Sequence, residues 1–172
     1  MKKLIFVACF LLFGSGATHA QCLDIWKYVY TPTRFTSNKT VPRTPPCVTI
    51  EGRLNRPSNL VFDPQGRPYS DGDISFLITL RDGSVVVVEE ICAEPDLIHF
   101  KDTPAQQAAE QAAKQACWRY YADGNKRLYS RAYITSLTGS TVRITGFSVS
   151  DYGHNGKREL HPLSGIRVVS RN

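Results

Sequence analysis

Residues 73–91 leave this chain few choices of fold. Ile74, Phe76, Ile78 and Leu80 alternate with Ser75, Leu77 and Thr79, the period of a strand with one strongly apolar face. Arg81-Asp82-Gly83-Ser84 then supplies an Asp-Gly turn, and the run from Val85 to Ile91 opens with four consecutive valines. Together they predict a β-hairpin, around which the remaining segments have to be arranged.

Other segments carry strand signatures with built-in bends. Cys47 to Leu54 contains Val48, Ile50 and the small Gly52, which permits a sharp bend or a bulge. Thr141 to Ser150 places Val142, Ile144, Phe147 and Val149 in alternation with a register shift at Gly146, again the mark of a bulge. Tyr129 to Leu137 reads as a strand leading into a Thr138-Gly139-Ser140 turn, and Leu163 to Val169 as the last strand. One helix is expected. Thr103-Pro104-Ala105-Gln106 has capping-box spacing with proline at the first helical position, and an alanine-rich run continues to about Tyr121. Ala105, Ala109, Ala112, Ala116 and Tyr120 form its shallow stripe, and Ala122-Asp123-Gly124-Asn125 stops it. The Trp118-Arg119-Tyr120-Tyr121 run is assigned to packing. Asn55 to Gly72, punctuated by Pro57, Pro64, Gly66 and Pro68, is a connection of the length that functional loops have. The protein is thus expected to be mainly β with one helix. Its order, strand-strand-strand-helix-strand-strand, is that of an OB-fold-like five-stranded barrel, with a plain α+β sandwich as the alternative.

The first 20 residues read as a secretory leader: Lys2 and Lys3 as the charged region, Leu4 to Phe13 as the apolar region, and Thr18-His19-Ala20 before the cut. No later run approaches the roughly 20 apolar residues that spanning a bilayer needs. A mature chain beginning near Gln21 would be periplasmic or secreted, with residues 21–46 as a Thr- and Pro-rich N-terminal extension and 47–172 as the domain. Within that extension Leu23, Ile25, Trp26, Tyr28 and Val29 are placed as a short element packing on the domain. Cys9 leaves with the leader, and Cys22, Cys47, Cys92 and Cys117 remain as an even set. In an oxidising compartment these form disulfides. Three pairings are possible, and Cys22 with Cys47 and Cys92 with Cys117 is the one favoured; a Cys-based zinc site lacks any Cys-x-x-Cys pair. Loss of Lys2 and Lys3 lowers the formal charge from +6 to +4, with the basic residues scattered, so nucleic acid is not an expected partner. Of the aromatic residues that could stack on bases, Phe76 and Phe147 fall in alternating apolar patterns and are assigned to the core.

Chemistry concentrates between Asp151 and Leu163. Asp151, His154, Glu159 and His161 are ligand types that zinc accepts, and Glu159 and His161, two apart, face the same side of a strand. They could equally serve as acid and base. The structural alternative has Asp151 capping a turn, His161 bonding across the barrel end and Glu159 pairing with Lys157 or Arg158 at the surface. A second group, Asp71, Asp73, Glu89 and Glu90, is brought together by the hairpin. The calcium-loop pattern is absent, so Asp71-Gly72-Asp73 is read first as the turn that ends the long loop. Because the third and fifth barrel strands run parallel, this group and the late segment are expected at different ends of the barrel.

From residue 47 onward the ordered set Asp71-Gly72-Asp73, Glu89-Glu90-Ile91-Cys92, Cys117 and Asp151-x-x-His154 with Glu159-Leu160-His161-Pro162-Leu163 resembles an uncharacterised group of small exported bacterial OB-fold-like domains. Such domains carry Gly-Trp soon after the first histidine, where this chain has Asn155-Gly156-Lys157-Arg158. The resemblance implies a fold and an address more than an activity. The expected function is an exported binding module for a protein or small ligand, without catalysis and without an obligatory cofactor. Its ligand-binding candidates are Asp151, His154, Glu159, His161, Asp71 and Asp73. The alternative is a metal-dependent hydrolase that uses Asp151, His154, Glu159 and His161.

Overall fold

The computed structural model describes residues 22, 24–29, 44–59, 61–62, 64–100, 103–126, 128–152 and 155–171. The expected leader, the mature N-terminus at Gln21, Leu23 and His154 lie outside the described residues. Seven strands are described: β1 (Cys47–Leu54), β2 (Val61–Phe62), β3 (Pro68–Tyr69), β4 (Ile74–Leu80), β5 (Val85–Glu90), β6 (Thr141–Asp151) and β7 (Lys157–Ser170). Two α-helices, α1 (Pro104–Ala122) and α2 (Arg131–Ser136), separate β5 from β6. The five longer strands make one sheet in the order β1-β4-β5-β7-β6, and β1 pairs antiparallel with both β4 and β6, closing the sheet on itself. β5 and β7 are its one parallel pair, with Val87 opposite Glu159 and Val88 opposite Leu160.

The expected hairpin is β4–β5, with Ser75 opposite Glu89 and Phe76 opposite Val88. Its alternation sends Ile74, Phe76, Ile78, Val86 and Val88 into the closed sheet, where they meet Leu54, Val142, Ile144, Leu160 and Leu163. Gly52 is required where β1 crosses β4. A Cβ there would lie 2.5 Å from the Thr79 carbonyl oxygen, closer than any side chain tolerates. At Gly146 the β6–β7 register shifts as the bulge reading anticipates. Past it, Phe147 and Val149 join a second apolar cluster with Ile25, Trp26, Tyr28, Ile91, Cys117 and Tyr120.

That second cluster explains the N-terminal segment and α1. Trp26–Tyr28 form a short 3-10 helix whose Trp26 packs 5.9 Å from Phe147 and whose Tyr28 meets Tyr120 edge-on at 5.2 Å. Disulfides Cys22–Cys47 and Cys92–Cys117, the favoured pairing, tie the segment to β1 and α1 to the residue following Ile91. α1 begins as its cap spacing requires, with the Thr103 side chain accepting from the Gln106 N–H. Its buried face is Ala113, Ala116, Cys117 and Tyr120, and Trp118 is 71 % exposed, so the tryptophan points to water instead of packing. Among the described residues no helix is long and apolar enough to cross a membrane.

Three further expectations change. Residues 131–136 are helical, because Ser130 caps the Tyr133 N–H and because Ile134 and Leu137, three apart, turn one apolar face into the cluster inside the closed sheet. The long connection carries its own two-stranded sheet, β2–β3. β7 starts at Lys157, six residues earlier than expected, since Asn155 (φ 60°) and Gly156 (φ 70°) make a tight turn that returns Lys157 opposite Asp151.

Candidate functional site

The early start of β7 decides the geometry of the site. It makes Glu159, Leu160 and His161 strand residues running beside β5, in the register that sets Val88 against Leu160. Leu160 points into the closed sheet with Val88, and the period of two turns Glu159 and His161 to the other face, with Glu89. His161 Nδ1 and Glu89 Oε2 are 2.7 Å apart, in a pair whose histidine side chain is 5 % exposed and whose carboxylate is 12 % exposed. Ser75, opposite Glu89 in the hairpin, donates its hydroxyl to Glu89 Oε1 at 2.8 Å. A continuous polar row, Ser75–Glu89–His161, therefore crosses three strands on the face turned away from the barrel interior.

The foot of the long connection completes the group. Gly72 adopts φ +88°, and a Cβ there would lie 2.7 Å from Ile98 Cγ1, so this tight turn suits glycine on both counts. The turn lets Asp71 Oδ1 accept from the Asp73 N–H at 3.3 Å, as the turn reading of Asp71-Gly72-Asp73 anticipates. Asp73 in turn accepts from the Cys92 N–H at 2.7 Å. The segment is clamped from outside by Gly72 and Glu94, joined backbone to backbone, and by Arg131, which donates to Glu94 Oε1 at 2.9 Å and to the Ser58 carbonyl at 3.0 Å. Glu94 holds the Arg131 guanidinium pKa above its ordinary value through that hydrogen bond.

Asp73, Glu89 and His161 each offer one ligand atom, and these atoms all lie within 4.8 Å of one another. The expectation that the Asp71–Glu90 group and the late segment sit at different ends of the barrel is therefore corrected. Once β7 begins at Lys157, its parallel register against β5, Val87 opposite Glu159 and Val88 opposite Leu160, carries His161 level with Glu89. Of the late residues named from the sequence, His161 enters the group and His154 lies outside the described residues. Asp151 and Glu159, 0 % and 2 % exposed, are buried and are not among these three residues, so the Glu159 carboxylate does not lie at the surface as the structural alternative had it. Glu90 points the opposite way from Glu89. Its Oε1 accepts the N–H groups of Leu128 and Tyr129 at 2.6 and 2.7 Å, anchoring the chain just before α2. Burial, reinforced by the charge of Glu90, pushes the Tyr120 hydroxyl pKa up to about 12.

Ser75 is the member of the site that the sequence reading missed. An Asp82-Gly83 turn of two residues would put Phe76 opposite Glu89; the turn that forms has three residues, Arg81 to Gly83, closed by Leu80 and Ser84, and that one-residue difference in register brings Ser75 opposite Glu89. No family model matches this chain, and no curated protein matches it.

Proposed function

We propose that this chain is an exported OB-fold-like module that binds a protein or small ligand without catalysing a reaction. The ligand surface is formed where the long connection and β7 meet. The observation that carries this reading is the convergence of Asp73, at the foot of that connection, with Glu89 and His161. The order of the five-stranded sheet, closed through β1 with one parallel pair, supports the OB-fold assignment, a fold whose loops and outer strand faces commonly host ligands. Two disulfides support an oxidising address, periplasmic or extracellular, after removal of residues 1–20. The same fold, the Asp71-Gly72-Asp73 turn and the Glu159-Leu160-His161-Pro162 strand support membership of the exported domain group named above.

The test is an NMR map. Backbone amide spectra of the mature chain, recorded against panels of amino acids, sugars, nucleotides and short peptides, are expected to shift at residues 64–73, 87–92 and 157–161. Asp73→Ala and Ser75→Ala, both at residues of the site, are expected to weaken any such binding. Shifts confined to other faces, or affinities unchanged in both variants, would refute the assignment of the surface. Mass spectrometry of the exported chain is expected to find Gln21 at its N-terminus; an intact residue 1–20 segment would remove the export reading.

A further inference from the structure

We propose that Asp73, Glu89 and His161 form a binding site for a divalent transition metal of the zinc class. This deepens the ligand-surface reading and rests on it. Two carboxylates with one imidazole are a donor set that borderline divalent metals accept, and the nitrogen donor disfavours calcium, which seeks six to eight oxygens. Donors around tetrahedral zinc, each about 2.0–2.2 Å from the ion, lie roughly 3.3 Å from one another. The three ligand atoms already fall within 4.8 Å, with Nδ1 and Oε2 at 2.7 Å, so modest side-chain rotations bring all of them to that spacing. Binding through Nδ1 requires the lone pair of that nitrogen, so the neutral imidazole that enters the site carries its N–H on Nε2 and Glu89 is an unprotonated carboxylate.

The surrounding bonds orient the donors as outer partners do in metal sites. Ser75 holds one oxygen of Glu89, and the Cys92 N–H holds one oxygen of Asp73. The scaffold is stiff: Glu89 and His161 sit on adjacent strands, and Cys92 is cross-linked to α1. Burial of His161 and Glu89 lowers the local dielectric, which strengthens attraction between a cation and two carboxylates. Asp73, half-buried, forms the accessible side. Three protein donors leave a fourth tetrahedral position for an atom of a bound ligand, which would make the metal the anchor of the surface proposed above.

The experiment uses the mature, oxidised chain stripped with chelator and dialysed, titrated with zinc chloride by calorimetry and with cobalt chloride by visible absorption. One equivalent of each is expected to bind, cobalt giving the d–d bands of a low-coordinate site. Asp73→Asn and His161→Gln are each expected to lower zinc affinity by at least about tenfold, and Ser75→Ala by less. Calcium chloride is expected to give no heat at the same concentration. Circular dichroism and the thermal midpoint establish that each variant is folded. Should His161→Gln fail to fold, the His161 imidazole resonances of the wild-type chain, followed during zinc addition, replace it. No stoichiometric binding by the folded wild-type chain, unmoved His161 resonances, or equal affinity in Asp73→Asn, would overturn the proposal. The ligand panel repeated in excess chelator separates the two readings: unchanged ligand shifts there, with no zinc uptake, remove the metal and leave the surface.

Discussion

Replacing Glu90 tests how the structure joins β5 to the segment before α2. Glu90 is 2 % exposed, and its Oε1 lies 2.6 and 2.7 Å from the amide nitrogens of Leu128 and Tyr129. Hydrogen bonds to a charged acceptor contribute about 1.5–3 kcal/mol each, and an amide left without its acceptor costs about 1–3 kcal/mol. Glu90→Leu orphans both amides and regains roughly 1–2 kcal/mol from apolar burial, for an expected net loss of about 2–4 kcal/mol. Glu90→Gln keeps an acceptor oxygen and loses the charge, for about 1–2 kcal/mol. Urea titration without reductant, followed by circular dichroism and by fluorescence of the buried Trp26, is the assay. With a slope of roughly 2 kcal/mol per molar, Glu90→Leu is expected to move the midpoint down by about 1–2 M. A midpoint within about 0.3 M of wild type would refute the claim that this carboxylate pins the connection. A second readout is independent of stability: Glu90→Gln is expected to lower the Tyr120 pKa from about 12 without restoring it to 10, because burial is the larger cause.

Stability is expected to fall as pH rises from about 10 to about 12. The raised Tyr120 pKa favours the folded state fully below the unfolded value of 10.0, and that contribution, on the order of 2 kcal/mol, is lost as pH passes the folded value. Urea midpoints across that range are expected to decline less steeply for Tyr120→Phe. Gly52→Ala is expected to cost about 1–3 kcal/mol or more, since its Cβ meets the Thr79 carbonyl at 2.5 Å; a neutral urea midpoint would show that β1 crosses β4 differently. Replacing Cys92 and Cys117 together by alanine is expected to cost about 2–5 kcal/mol and to speed amide exchange in α1, whereas uniform protection would show that packing alone docks the helix. Thr103→Ala is expected to cost about 0.5–2 kcal/mol by thermal melting, with the loss concentrated in fraying of the first turn of α1.

What could be read before folding followed local rules. The hairpin, the cap at Thr103, the bulge at Gly146 and the cysteine pairing all depend on neighbouring residues or on loop length, and each stands where those rules put it, whereas Gly52 is needed for the close approach of the Thr79 carbonyl and its ladders run through without a shift. The misreadings have physical causes. Tyr129 to Leu137 contains enough apolar and β-branched residues to pass for a strand, and it is the packing of Ile134 and Leu137 into the cluster inside the closed sheet that selects helix. Trp118 lies one residue off the buried stripe of α1, and a residue's identity does not reveal which side of a helix meets the domain. Asn155-Gly156 is a strong hairpin signal, and beginning the last strand at Leu163 left it unused, six residues short of where β7 starts.

Composition, period and turn chemistry are local properties, and from them a mainly β chain with a long capped helix, four cysteines beyond Cys9 spaced for pairing, and two groups of acids and histidines could be read directly. Only the tertiary structure decided that the two groups meet. Asp73, Glu89 and His161 are brought together by the parallel register of β5 against β7, a pairing between strands far apart in the chain that no local pattern specifies.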